Sequence, residues 1–540
     1  MAGFGQNGGL TTRPVREYEL GDWLSYKNCN YPTSIADGDE FVFFGTSGGI
    51  LPYHKYGRYW DAPYTTSDGL ADDSITAVVF DPVTRYLWAA HRKGISYLTP
   101  AALKWINRDY NIHLPASNPV NRIGVNSMAV WSMAPGGFII TNNKILGYDQ
   151  GLVKHAPEDI RWGLNQDDPL PAFGIYFLDD GYQFTHDGVI IDQEFRRFPV
   201  TLFSQDINRD IYGAAPGLGV IIGDDNVRRL TIRRTGPLHN RINAWTSDGQ
   251  TIWMAGEYSV WLTPQATAGI SIYNTERDRW DYYENRYIHH LAGVDIYDLA
   301  YGDGQLWVGT DQGLSLFEVN HNRWKRLTMK DGLRDEIILT IALEDSLAWI
   351  GTPMGLSVIK LPQLKIKRHH LMPQKNLMKI FKITTDRKNI WVGTDNGLYS
   401  IDRRNHMVRH YDTNGQICPL EATVAAEFRA MAISDSLNVF YHPYGLLKAD
   451  AANERFEPIP MFDKLAGAQI FDMALAGNYL WIGTDRGAFL KRLDDNYQEQ
   501  YTFLDGLAGN LVFKVRIEGD WVWFGTDQGL TKYQWRRYVF

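Results

Sequence analysis

Cysteine is almost missing from this chain: Cys29 and Cys418 are the only two in 540 residues. That excludes a disulfide framework and a thiolate metal cluster, and two buried free thiols are expected. Positive charge is not in surplus either. Lysine and arginine total 54 against 62 aspartates and glutamates, a net charge of −8. A broad phosphate-binding surface, and with it a nucleic-acid partner, is not expected. No apolar run reaches the roughly 18 residues of a membrane-crossing helix, so no membrane span is expected. No stretch sustains a helical period. The opening Met1-Ala-Gly-Phe-Gly-Gln-Asn7 is too short and polar for a signal peptide. It fits the remnant of a trimmed secretory sequence as well as an ordinary chain start.

Aromatic residues and glycine are abundant instead: 18 Trp, 30 Tyr and 50 Gly. That combination suits many short, half-buried strands joined by tight turns. Apolar residues at 44% supply ample core, and charged residues at 21% give no reason to expect disorder.

One phrase recurs. Trp307-Val-Gly-Thr-Asp-Gln-Gly-Leu314 returns at Trp349–Leu356, Trp391–Leu398, Trp481–Ala488 and Trp523–Leu530, at intervals of 42, 42, 90 and 42 residues. A degenerate copy, Phe440-Tyr-His-Pro-Tyr-Gly-Leu446, divides the long interval. Weaker copies stand at Phe43–Ile50, Trp88–Ile95, Tyr212–Leu218 (one residue short) and Trp253–Val260, with faint ones at Phe138–Thr141 and Phe184–Gly188. This amounts to about twelve units, seven from Trp253 onward and five before it.

The phrase has a physical reading. Trp-Val-Gly-Thr is a short strand whose Trp faces a core layer and whose Gly admits a neighbouring sheet. Asp-x-Gly is hairpin chemistry, the glycine supplying a positive φ. A returning strand, an aromatic outer strand such as Arg323–Leu327, an Asp-Gly-Leu turn (Asp68–Leu70, Asp331–Leu333, Asp505–Leu507) and an alternating strand such as Ile338–Leu343 complete the unit. Four strands per 42 residues make one propeller blade. The expected fold is all-β: two tandem β-propellers built from about twelve four-stranded blades. The expected division is an N-terminal extension over 1–22, a first propeller over 23–240 and a second over 241–540. Asp22–Tyr26 and Trp535–Tyr538 both resemble outer strands, so the chain ends are expected to exchange a strand.

These residues resemble the two-component regulator propeller repeat, Trp-[Ile/Val]-Gly-Thr-x-x-Gly-Leu with a later Asp-Gly-Leu. The marks of WD40, kelch and Asp-box repeats are missing. The resemblance implies paired propellers outside the cytoplasm, as in the sensor regions of hybrid two-component systems that recognise oligosaccharides. The segment Trp23-Leu-Ser-Tyr26 is also similar to the opening of PorZ-type surface propellers of the type IX secretion system, with shortened spacing. Kinase, receiver and immunoglobulin-like regions are not found in the chain.

Chemistry-bearing motifs are scarce. No phosphate loop, nucleophile elbow or zinc-protease helix is present, so no catalytic residue, metal site or cofactor is expected. His289-His290 and His369-His370 are adjacent pairs, and neighbouring strand residues point to opposite faces; His406 and His410 are spaced too far apart to chelate alone. The acidic pairs Asp167-Asp168, Asp179-Asp180, Asp224-Asp225 and Asp494-Asp495 fall where solvated turns are expected. Lys365–His370 alternates as an exposed strand does. Trp88, Trp253, Trp307, Trp349, Trp391, Trp481 and Trp523 occupy the repeat position and are assigned to the core between blades. Trp60, Trp280, Trp324 and Trp535 fit outer strands. Trp105, Trp131, Trp162, Trp245 and Trp261 lie off the motif and are the candidate ligand-stacking residues, although core packing competes for each.

The expected function is a non-enzymatic extracytoplasmic protein that binds an oligosaccharide or a protein partner, at a funnel mouth or in the cleft between propellers. The stretch 107–241 strays furthest from the repeat and is the candidate specialised surface. A structural subunit of a secretion or surface assembly is one rival reading, and a propeller lyase or glycan hydrolase is the other.

Overall fold

A computed structural model describes residues 18–19, 21–101, 105–109, 120–134, 137–142, 149–179, 181–256, 268–344, 346–369, 378–434, 436–450, 455–460, 465–495 and 497–539. Among them the chain forms twelve sheets, almost wholly antiparallel and mostly four-stranded. In chain order they span residues 32–60, 75–109, 122–153, 183–199, 202–233, 244–284, 296–327, 340–369, 380–418, 430–459, 470–501 and 512–533. They are called the first to the twelfth sheet.

The recurring phrase builds each sheet in one way. In the seventh sheet, strand Gln305–Thr310 pairs with Gly313–Glu318. The Thr310 hydroxyl donates to the Gly313 carbonyl at 2.8 Å and accepts from the Gln312 N–H at 3.0 Å. The same pair of bonds recurs at Thr46, Thr352, Thr394, Thr484 and Thr526. A buried threonine thereby closes its own hairpin, which is why threonine and not valine follows the glycine. That glycine answers to the adjacent sheet. A Cβ on Gly309 would lie 2.9 Å from Ile338, which leads into the next sheet, on Gly393 2.2 Å from the Phe428 carbonyl oxygen, and on Gly483 2.7 Å from that of Val512. On Gly525 it would lie 2.5 Å from the carbonyl oxygen of Ile242, which leads into the sixth sheet. From the sixth sheet to the twelfth, the contacts therefore run sheet to sheet and return to their start.

Two ion pairs cross the middle of this ring. Lys382 meets Asp472 at 2.9 Å and Lys514 meets Asp298 at 3.0 Å, all four on innermost strands. Their second carboxylate oxygens accept the Val515 and Ile341 N–H groups. The twelfth sheet takes its outer strand from the other end of the chain: Trp23–Tyr26 pairs with Gly529–Tyr533, Trp23 opposite Tyr533. Trp535 lies in a short 3-10 turn, Trp535–Arg537, and not in the outer strand read from its aromatic neighbours. Its indole is fully buried beside Trp481.

The first five sheets are less regular. The first packs against the second through Phe43, Val78 and Leu87, the second against the third through Trp88 and Val130, the first against the fifth through Phe44 and Tyr212, and the fourth against the fifth through Ile190 and Ile211. The phrase in the third sheet begins at Trp131, in strand Ala129–Ala134, whose Ala134 pairs with Gly137 as Thr310 does with Gly313, and not at Phe138–Thr141. Trp131 is thus a repeat-position tryptophan. In the fifth sheet Ala215 pairs with Gly219, so that turn is one residue longer than the pattern, not one shorter. The segment 160–168 runs along the innermost edges. Trp162 pairs with Gly124 of the third sheet and Leu164 with Ile35 of the first. A Cβ on Gly163 would come within 2.0 Å of the Val78 carbonyl oxygen in the second. It occupies the middle of this half, anchored by Arg122–Asp168 at 2.6 Å.

Candidate functional site

The two groups of sheets meet along a wide contact, and a cavity of about 340 Å³ opens beside it. Four separate stretches line it: strand Trp23–Tyr26 with Lys27, the outer strand Tyr59–Trp60 with the turn to Asp68, the end of strand Arg229–Arg233 with Thr235 and Gly236, and the hairpin bearing Tyr273, Asp278 and Trp280. Lys532, on strand Gly529–Tyr533, completes the wall.

The contact beside the cavity is polar and specific. The Ser25 and Ser67 hydroxyls are 2.9 Å apart, and Ser67 also donates to the Gly506 carbonyl at 3.0 Å. Two Asp-Gly-Leu turns, at 68–70 and 505–507, thereby approach one another. Lys27 is buried, pairs with Asp73 and donates to the Ala508 carbonyl at 2.9 Å. On a second flank Glu284 is buried and accepts from Arg234 at 2.6 Å and Arg196 at 3.0 Å. Asp192 takes Arg196 at 2.5 Å and the Tyr287 hydroxyl at 2.9 Å.

Aromatic rings form the cavity's floor. Tyr273 stacks on Trp280 with centroids 4.8 Å apart, and Tyr26 meets Tyr273 at 4.9 Å. Burial raises the pKa of both phenols, so they stay protonated. The Tyr273 hydroxyl donates to Asp278 at 3.0 Å. Asp68 accepts the Thr65 N–H at 2.8 Å, yet burial outweighs that bond and pushes its carboxyl up to about 6. Lys532 extends its ammonium over the rings of Trp521 and Trp523, at 4.8 and 5.4 Å, and burial lowers its pKa. Apolar ring faces with polar groups at their margins can seat a ring that has its own apolar face and hydroxyl edge.

The five off-motif tryptophans are dispersed. Trp105 packs in the cluster between the first and second sheets, and Trp131 sits in a small cluster with Ile160. Trp162 is half-buried, 5.4 Å below the Arg122 guanidinium. Trp245 is buried 5.4 Å from Trp523, and Trp261 lies outside the described residues. None of the four described ones lines the cavity. The seven repeat tryptophans are all buried. Cys29 is a free, buried thiol pushed up to about 12 by burial, and Cys418 is free and half-buried.

The acidic pairs lie at turns, Asp179 and Asp495 with side chains 43% and 41% exposed, and one member of each pair also meets an arginine; Asp180 lies outside the described residues. Asp168 pairs with Arg122, Asp179 with Arg229, Asp225 with Arg209 and Asp495 with Arg492. In each case an arginine on a strand or in a nearby hairpin turn reaches the carboxylate, which sequence spacing does not display. His410 is buried, stacked on Tyr399 at 4.2 Å, with ring nitrogens 3.0 and 2.7 Å from the Pro419 and Asn396 carbonyls. The cavity's own residues gave a weaker signal: Trp60 and Trp280 were legible as outer-strand aromatics, and Lys532 not at all.

No family model matches the sequence, and no curated protein matches it. Solved structures do match. PorZ, an essential surface component of the type-IX secretion system of Porphyromonas gingivalis, is similar over 95% of this chain and 87% of its own, at 15% identity and a TM-score of 0.61. The extracellular domain of a putative one-component system of B. thetaiotaomicron is similar over 93% of this chain and 70% of its own, at 13% identity and a TM-score of 0.45. That of a putative hybrid two-component system of the same organism has 14% identity, the same coverage and the same TM-score. What this chain shares with PorZ at such identity is its fold, an all-β array of tandem β-propellers.

Proposed function

We propose that the chain is a non-enzymatic recognition module that works outside the cytoplasm and seats a saccharide in the cavity between its two groups of sheets. The first propeller would end at residue 240 and the second begin at 241, with Trp23–Tyr26 exchanged into the second. The observation that carries the reading is the aromatic floor of Tyr26, Tyr273 and Trp280, set in a cavity of about 340 Å³ where four separate stretches converge. Two of its three carboxylates are engaged structurally, Asp68 by Thr65 and Asp278 by Tyr273, which leaves Asp61 at the rim without a second free carboxylate to share acid–base work. A glycan array followed by calorimetry tests the reading. Binding that Trp280→Ala abolishes in a variant that melts earlier but still in one cooperative transition supports it; no binding across polysaccharides and lipopolysaccharides would refute it. Cell fractionation checks the compartment.

A second reading is a subunit of a surface assembly. It is favoured by an apolar patch on the outer edge of the fifth sheet, where Ile175, Phe177 and Val227 are exposed at 78%, 69% and 65%. Co-purification of a partner that Phe177→Asp releases would favour this reading over the first.

A further inference from the structure

The charges around the cavity differ in whether they have partners. Lys27 is neutralised by Asp73. Asp68 and Asp278 accept hydrogen bonds from Thr65 and Tyr273. Asp61 stands exposed at the rim. The two remaining cations have no carboxylate partner among the described residues. Lys532 is half-buried, with its ammonium over the faces of Trp521 and Trp523. Arg233 donates from Nη2 to the backbone carbonyl of Asp278 at 3.0 Å, while its Nε is buried with no acceptor among the described residues. A half-buried ammonium and an unsatisfied guanidinium N–H are both unfavourable unless something supplies the missing acceptor. Both line the same cavity as the aromatic floor.

We propose that the saccharide carries an anionic substituent, a carboxylate or a sulfate, and that Lys532 and Arg233 receive it while the ring rests on the Tyr273–Trp280 side. This rests on the cavity being the binding site. The acid group supplies the anionic partner that both cations lack among the described residues. The ring hydroxyls reach Asp61 at the rim. Burial lowers the pKa of Lys532, and an anion seated beside it raises that pKa back toward the ordinary lysine range.

The test uses the whole chain and three probes of similar length: an oligogalacturonate, a sulfated carrageenan oligosaccharide and a neutral maltooligosaccharide. Calorimetry is expected to detect one or both acidic probes and to place the neutral one at least roughly tenfold weaker. The stronger acidic probe identifies the substituent. Lys532→Met should weaken acidic binding by roughly tenfold or more, and Lys532→Arg should keep it within a few-fold, because charge and donors remain. Added salt should weaken the acidic probe alone. A readout independent of folding losses is the ammonium NMR signal of Lys532, whose pKa should rise on saturation with the acidic probe. Equal affinity for acidic and neutral probes, or acidic binding unchanged in Lys532→Met, overturns the charge assignment while leaving the cavity in place if Trp280→Ala still abolishes binding. If binding persists in Trp280→Ala, or no saccharide binds, the cavity reading itself falls and this proposal with it. Binding of an acidic peptide in preference to every saccharide also overturns it.

Discussion

Glu284 is the residue whose loss should most disturb the seam that frames the cavity. It lies on strand Arg279–Glu284 of the sixth sheet, buried, and receives Arg234 at 2.6 Å and Arg196 at 3.0 Å from chain segments that precede residue 240. Arg196 keeps Asp192 as a second partner. For Arg234 no other carboxylate stands within ion-pair distance among the described residues, and only the Tyr282 ring lies beneath it at 4.2 Å. Removing one member of a buried ion pair costs about 3–5 kcal/mol, since a charge is left uncompensated. Glu284→Gln keeps the shape and one acceptor, so a loss near 3 kcal/mol is expected. If the flanking sheets unfold as units of 150–250 residues, that corresponds to a fall of about 6–12 °C in melting temperature. Differential scanning calorimetry reads the shift, and limited proteolysis reads whether the connector at 236–241 becomes cleavable. The double variant Glu284→Leu with Arg234→Met, which removes both charges, should recover much of the loss. A fall below about 1 °C in Glu284→Gln, with no new cleavage, would refute the assignment of this cluster as the lock between the two groups of sheets.

Three further expectations follow from the repeat and the turn. Thr394→Val removes a buried hydroxyl that bridges the Gly397 carbonyl and the Asn396 N–H, so denaturation should show a loss of about 1–3 kcal/mol. Gly393→Ala sets a Cβ 2.2 Å from the Phe428 carbonyl oxygen, and overpacking of about 1–3 kcal/mol should lower the melting temperature, whereas Gly519→Asn, at φ 59 with open space around it, should change it little. Asp68 titrates in the folded protein at about 6, above the roughly 3.9 of an unfolded aspartate, so the folded state binds more protons between those values. Its contribution is therefore favourable below about pH 4 and is lost as pH rises through 6. Carboxyl NMR should locate that titration, and Asp68→Asn should flatten the fall in stability across pH 4–6.

The repeat made the fold legible because each of its letters does one local job. Threonine closes the hairpin, the first glycine admits the next sheet and the second takes the positive φ, 125° at Gly313. Where letters were lost, the register slipped. Trp131 stands off the motif in sequence because Ala134-Pro-Gly-Gly replaces Thr-Asp-x-Gly, although its strand is the same one. Segment 160–168 was not legible, since its two-residue strands follow no repeat and are held by backbone pairing. The cavity was hidden for a different reason. Its walls come from residues 24–27, 51–68, 233–236, 273–280 and 532, each ordinary in its own strand or turn, and only the docking of distant segments brings them together. The pairing of acids with arginines was equally out of reach, because it depends on neighbours across a sheet.

Hydrogen–deuterium exchange with and without a saturating acidic oligosaccharide tests the central claim most directly. The account predicts new protection at residues 24–27, 60–68, 233–236 and 273–280, with the rest of both groups of sheets unchanged. Protection confined to loops at the mouth of either group, with those four stretches unaltered, would contradict it.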